Sequence, residues 1–174
     1  MEGVHETPEQ LDRLQALLDA SATAAGAHLR SIVIEERRVD AGRLCALLTG
    51  MRLLTVATVT ADGRPIAGPV DGYFLHGAFW FSTSRHSVRA QHLSMRPAVS
   101  ATHVPHERLA VSAHGMAVLF SFPGSETDEL RQAMLDHYLP LQGASFEEWL
   151  EGMSDGVAGR IDARKLFAFS MPDS

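Results

Sequence analysis

The apolar and polar positions between Leu53 and Arg96 mark three β-strands in immediate succession, followed by a short helix. Leu53–Thr60 is apolar and rich in β-branched residues, and Asp62-Gly63 offers the φ > 0 positions of a tight hairpin turn. A second strand runs over Arg64–Leu75, a turn falls at His76-Gly77, and a third strand spans Ala78–Ser84. Ser87–Met95 then reads as a helix that Arg96-Pro97 ends. Further on, Ala98–Val104 predicts a strand, His106-Glu107 a turn, and Leu109–Phe120 a longer strand broken by Gly115. Val157–Ser170, with Ile161, Leu166, Phe167 and Phe169, closes the chain as a sixth strand.

Helical spacing surrounds this β-rich centre. Leu11, Leu14, Leu17 and Leu18 share one face of Pro8–Ala20, with Thr7 as N-cap and Gln10 completing a capping box. Ser31–Glu36 reads as a short strand or the start of an extended arm. Asp40 caps a helix over Ala41–Leu48 that Gly50 closes. A helix over Glu126–Tyr138 ends at Leu139-Pro140, and Ser145–Leu150 is a helical piece with Phe146, Trp149 and Leu150 on one side. Six strands in mostly hairpin order, with helices at the margins, predict a mainly β protein built on a small antiparallel barrel. The expected organisation is an N-terminal helix and arm over residues 1–39 and a barrel over 40–174, forming one structural domain overall.

Composition narrows the function classes. A chain of 174 residues, 45% apolar and 21% charged, suits one domain with one substantial core. Its net charge of −6 argues against nucleic-acid and anionic-membrane partners. No apolar run approaches the ~20 residues a membrane helix needs, and MEGVHETPEQ lacks the basic and apolar regions of a signal peptide, which fits a cytoplasmic location. The single cysteine, Cys45, sits in RLCALL and reads as a small core residue in a reducing compartment. Fourteen arginines stand against one lysine, Lys165, a bias typical of GC-rich codon usage.

The candidate chemistry lies where the third strand meets the helix. Ser82, Thr83 and Ser84 are followed by Ser87 and Arg89, so hydroxyls, helix N–H groups and a guanidinium converge on what reads as an anion seat. The same residues also suit a bland role: Ser82–Ser84 as strand-end caps, and Arg85, Arg89 and Arg96 as a solvated helix face. Phe79, Trp80 and Phe81 read as core or dimer packing, and so does Trp149. Nine histidines raise metal and haem, but no H-E-x-x-H array or cysteine partner supports a zinc site, and no particular histidine stands out as a haem ligand. No G-x-S-x-G, P-loop or G-x-G-x-x-G occurs.

Three pieces in order, ATVTADGRP (Ala57–Pro65), FSTSRHSVRAQHLSMRP (Phe81–Pro97), and AVSATHVP followed by LAVSAHGMAVL with Gly115, resemble the split β-barrel family of flavin- and deazaflavin-binding proteins related to pyridoxamine 5′-phosphate oxidase. The resemblance implies a six-stranded antiparallel split β-barrel of the FMN-binding type, and a homodimer with its cofactor in a groove between subunits. It further implies that Thr83 and Ser87 hydrogen-bond the cofactor phosphate, with Ser82 beside them. Arg89 would pair with that phosphate, and the backbone at Pro69 and Val70 would line the ring. The oxidase branch carries an Arg and a Lys on its second strand where Ala67 and Gly72 stand here, which argues against pyridoxamine phosphate oxidation. The pattern lies closer to relatives that use coenzyme F420, and Arg64, Arg85, Arg89 and Arg96 are the candidates to line a groove for its acidic tail. The resulting expectation is an oxidoreductase passing a hydride between F420 or FMN and a small conjugated substrate, with Tyr73 and His114 as candidate proton donors. The alternatives are a non-catalytic flavin or deazaflavin carrier and a haem-binding or haem-degrading protein.

Overall fold

A computed structural model describes residues 6–171. The first five and last three residues of the two expected segments, 1–39 and 40–174, lie outside it. Six antiparallel strands close on themselves in the order β1-β2-β3-β6-β5-β4: β1 Arg52–Val59, β2 Pro65–Leu75, β3 Ala78–Ser84, β4 Ala98–His106, β5 Leu109–Phe122 and β6 Gly156–Ser170. Helices α1 (Pro8–Thr23), α2 (Ala27–Ile32), α3 (Ala41–Leu47), α4 (Val88–Met95), α5 (Asp128–Gln142) and α6 (Ala144–Glu151) surround the barrel. Among the described residues, 39% are strand and 40% helical.

Turn chemistry sets the hairpins. Thr60 and Arg64 flank a three-residue loop in which Gly63 alone takes a positive φ, 84°. Asp62 is not left-handed as the sequence had suggested; its carboxylate accepts from Thr60 Oγ1 and Arg64 Nε instead. Between β2 and β3, His76 and Gly77 both take positive φ, 54° and 76°, the two-residue turn that suits strand twist. The longest ladder runs from Leu109↔Ser170 to Phe122↔Gly156, with a bulge at His114/Gly115. Pairing of Thr55 with Thr102 closes the barrel between β1 and β4.

The run Tyr73-Phe74-Leu75 is apolar throughout because both faces of β2 are covered. Phe74, with Phe79 and Phe81 from β3, points into the barrel among Leu44, Leu54, Val56, Val111, Ile161 and Leu166. Leu14 and Leu18 of α1 join this same core. Tyr73, Leu75 and Trp80 face the other way, into a second core under α5 and α6 with Leu130, Met134, Phe146 and Leu150. Cys45 is buried on α3, where burial, and after it the charge of Glu6, pushes the thiol up to about 12.

Two expectations fail. Residues 31–36 form no strand: α2 runs to Ile32, a single 3-10 turn covers Glu35–Arg37, and only Arg38 bridges β6, at Phe169. β3 pairs with β6 only as far as Ile161, so the later part of β6 keeps an edge on that side, and the chain meets it there through the single Arg38 bridge. The helix expected to stop at Leu139-Pro140 instead carries Pro140 within it and ends at Gly143, with φ 67°. Lying in the last turn, the proline removes only one hydrogen bond.

His103 points into the barrel from β4 with 6% of its surface exposed, and its Nδ1–H donates to the Leu53 carbonyl at 3.0 Å. Burial lowers its pKa below the ordinary 6.5. The unfolded chain therefore takes up this proton first as pH falls, and the folded state loses stability below about 6.5. Urea unfolding as a function of pH should show a shallower decline between about pH 6.5 and 5 in His103→Gln than in the parent.

Candidate functional site

The strand-to-helix corner gathers three of the expected residues. Ser87 caps α4: its hydroxyl oxygen accepts from the Ala90 N–H at 3.1 Å and from the Thr83 hydroxyl, also at 3.1 Å. Both of those contacts use the Ser87 oxygen as acceptor, so its own proton is free to donate outward. The N–H groups of Val88 and Arg89, in the first turn of α4, have no acceptor among the described residues.

Arg89 reaches back to β2, where Nη2 donates to the carbonyls of Gly68 at 3.2 Å and Pro69 at 2.9 Å. Its guanidinium also lies 6.0 Å from the Phe81 ring centroid. A Cβ at Gly68 would stand 3.3 Å from Nη2, a tight contact that the guanidinium would ease by shifting a few tenths of an ångström. Burial lowers the Arg89 pKa, and among the described residues no carboxylate pairs with it. A half-buried cation held by carbonyls alone keeps donors available for an anion.

Beside this corner opens a cleft of about 820 Å³ between β2, β3 and the α5–α6 pair. Val70, expected beside the ring, lines it together with Ser82 and Thr83, which were expected at the phosphate. Pro69 contributes through its carbonyl to Arg89 rather than as cleft wall. The far wall was not foreseen as a unit. It consists of Met134, Tyr138, Phe146 and Trp149, with Asp71 and Tyr73 facing them from β2. The Tyr138 hydroxyl donates to the Asp71 carboxylate, and burial, reinforced by Asp71, raises the Tyr138 pKa. Phe146 stacks on Tyr138 at 4.6 Å, and Trp149 lies tilted over Phe146 at 5.4 Å. The amphipathic spacing of Phe146 and Trp149 was the only sequence signal for this wall.

Other candidates are drawn elsewhere. Arg64 pairs with Asp62 at the hairpin, and Arg96 donates to the Val59 carbonyl at 3.0 Å, so the expected four-arginine groove does not assemble. Arg85 stays exposed at the cleft mouth, its N–H on the Asp155 carbonyl, while Ser84 donates to the Asp155 carboxylate and holds it below the usual carboxylate range. His114 bonds Ser100 and packs on Phe167, outside the cleft lining. Gly72 turns out to be a core position, since a Cβ there would meet Leu54 Cδ1 at 2.3 Å. A lysine at that place would point into the barrel, so only Ala67 remains as a missing basic group. Among the described residues no three His, Cys, Asp or Glu side chains gather as a metal-binding group, and no helix is long and apolar enough to cross a membrane.

Known proteins share this arrangement of strands. The conserved hypothetical protein Rv2991 from Mycobacterium tuberculosis superposes with TM-score 0.64 at 19% identity, over 81% of this chain and 94% of that one. HutZ, described as the heme storage protein of Vibrio cholerae, gives 0.57 at 19% identity over 68% and 86%. A protein described as an F420 reductase gives 0.55 at 18% identity over 70% and 93%. At such identities the likeness speaks for the fold alone. No curated protein matches the sequence significantly. A family model does: the description "Pyridoxamine 5′-phosphate oxidase" covers residues 42–149, from α3 through the barrel's first five strands to Trp149. With well over half its length matched and the six-stranded barrel beneath it, this chain belongs to the pyridoxamine 5′-phosphate oxidase family.

Proposed function

We propose that the protein is an oxidoreductase that binds a deazaflavin or flavin coenzyme, coenzyme F420 before FMN, and reduces a small conjugated substrate beside it. One observation carries the reading: Arg89, half-buried in a small pocket of about 210 Å³ that it lines with Ser87, has carbonyl partners but no carboxylate, and Thr83 of the neighbouring 820 Å³ cleft donates to that Ser87. Arg89, the Ser87 hydroxyl and the free N–H groups of α4 would hold the coenzyme phosphate. Val70, Ser82 and Thr83 would border its ring. The coenzyme supplies the hydride, and the chain binds, orients and keeps water from the ring face.

At the phosphate seat itself a single guanidinium favours the phosphodiester of F420, whose acidic tail, without the four-arginine groove, would run past the exposed Arg85 toward solvent. A phosphomonoester such as that of FMN carries about −1.5 to −2 at neutral pH, whereas a phosphodiester carries one charge. Asp155 and Asp71 on the cleft add to the repulsion of a dianion. Pyridoxamine phosphate oxidation, which begins from an FMN grip, is disfavoured on the same ground. Haem has weaker support: neither a histidine nor a cysteine lines the cleft, although the HutZ likeness keeps the test worthwhile.

A homodimer fits the exposed apolar face of β1 and β4, where Leu53 and Val104 are outward neighbours by the register Thr55↔Thr102. Parallel calorimetric titrations with F420, FMN and haem, with light scattering for mass, test the proposal. Saturable F420 binding tighter than FMN, on a particle of twice the chain mass, is the expected result. Binding of haem alone, or of none of the three, overturns it.

A further inference from the structure

The pocket that Ser87 and Arg89 share has a further polar wall. Thr58, on β1, lines it beside Ile66, Gly68 and Val88, and only 2% of the threonine's surface is exposed. Among the described residues its hydroxyl has one partner: Oγ1 lies 2.9 Å from Nδ1 of His92 on α4. A hydroxyl carries one proton and two lone pairs, so the histidine decides where that proton goes. Where Nδ1 is bare, it accepts the Thr58 proton. Where Nδ1 carries a hydrogen, it donates to the Thr58 oxygen, and the threonine proton is left without an acceptor in the protein. Imidazolium, with hydrogens on both nitrogens, allows only this second arrangement. A buried donor in that state is destabilising unless a ligand meets it, and the pocket that Thr58 lines is the place for one.

The charges around His92 make that ligand an anion. On α4 itself stand Arg89 and Arg96, the latter tied to the Val59 carbonyl. The helix packs on β1 and β5, whose ionisable side chains are Arg52, on the Leu47 and Met51 carbonyls, and His114, on Ser100. Arg85 and His86 precede α4, where Asp155 accepts from Ser84. Asp62 of the β1–β2 hairpin pairs with Arg64, and Asp162, next to Gly115, pairs with Arg160. Among the described residues no carboxylate bonds either Thr58 or His92.

We infer that Thr58 is a further donor of the anion seat and that His92 controls it: a phosphodiester in the pocket accepts the Thr58 hydroxyl once Nδ1 of His92 carries a hydrogen. The inference rests on the phosphate-seat reading and adds a proton linkage to it. Anion binding and protonation of His92 favour each other, because the anion accepts the donor that protonation releases. The seat therefore tightens as pH falls from about 8 to 5, the span in which histidines change charge. No part of the chain has to move, since Thr58, Ser87 and Arg89 line one space.

Dimethyl phosphate is the probe, because its single charge stays constant between about pH 8 and 5. NMR titration of the full chain, followed at the Val88 and Arg89 amides, reads its affinity. The parent should bind about three- to ten-fold more tightly at about pH 5.5 than at about pH 8, the worth of one hydrogen bond. His92→Asn keeps a polar atom near the Nδ1 position but does not titrate, and it should flatten that profile. Thr58→Val should flatten it too, and Thr58→Ser should restore it. Arg89→Ala should weaken binding at every pH and keep the slope, so loss of the seat and loss of its control read differently. Equal slopes in the parent and His92→Asn overturn the inference, leave the seat standing and assign the proton to another imidazole such as His86. No saturable binding by the parent at any pH overturns both. A pH-dependent seat that takes neither F420 nor FMN supports the inference and removes the coenzyme reading alone.

Discussion

Gly115→Ala is expected to cost about 3–5 kcal/mol and to leave the barrel largely unfolded at modest urea concentrations. A Cβ at this position would lie 2.1 Å from the Asp162 carbonyl oxygen and 2.8 Å from the Ala163 Cα. Both obstacles are backbone, so no rotamer change relieves them. Gly115 sits at the bulge where the register shifts in the β5–β6 ladder, so either the ladder opens or its register moves. A one-residue slip would exchange the inward and outward sets, sending Val111 and Ala113 to the surface. Losses of this size arise where backbone has nowhere to go. Gly42→Ala is the matched control. Gly42 is exposed in α3, and its Cβ would meet only Asp40 Oδ1 at an ordinary 3.5 Å. Alanine there should raise stability by about 0.5–1 kcal/mol. Equilibrium urea unfolding of both variants decides, and a Gly115→Ala protein within about 1 kcal/mol of the parent would show that the bulge is not rigid.

The role of Gly115 also shows what sequence can and cannot specify. Its interruption of an apolar run was visible, but Asp162, its close neighbour, lies far along the chain. The hairpins were legible because their determinants are local: Gly63, and the His76-Gly77 pair, impose turns whatever surrounds them. The capping box of Thr7 and Gln10 formed as spelled out, with both reciprocal bonds. Residues 31–36 misled because Ile32, Val33 and Ile34 have strand propensity, while α2 runs on to Ile32 and the chain reaches the β6 edge only at Arg38.

The corner at Thr83, Ser87 and Arg89 was readable from spacing alone, since all three lie within seven residues. The opposite wall was not. Asp71 and Tyr138 meet across 67 residues, and neither has a neighbour in sequence that hints at the other. Gly72 shows the converse hazard. Counting positions along a strand identified it as a missing ligand site, although alternation of faces had sent it into the core.

Arg89→Ala should weaken binding of F420, the coenzyme proposed for this site, by about 10- to 100-fold. A charge-assisted hydrogen bond contributes about 1.5–3 kcal/mol, and each 1.4 kcal/mol is a factor of ten. The same side chain tethers α4 to β2 through Gly68 and Pro69, so the variant also loses about 1 kcal/mol of stability. Two further measurements separate the tether from the charge. Arg89→Lys restores a cation without the planar fork that reaches both carbonyls, and it should recover part of the affinity. Raising salt screens the ion pair, so affinity should fall more steeply for the parent than for the alanine variant. If Arg89 were only a tether, lysine would recover nothing and the two salt slopes would coincide. That result would detach the guanidinium from the phosphate and leave the proposed coenzyme seat at the start of α4 without its anchoring charge.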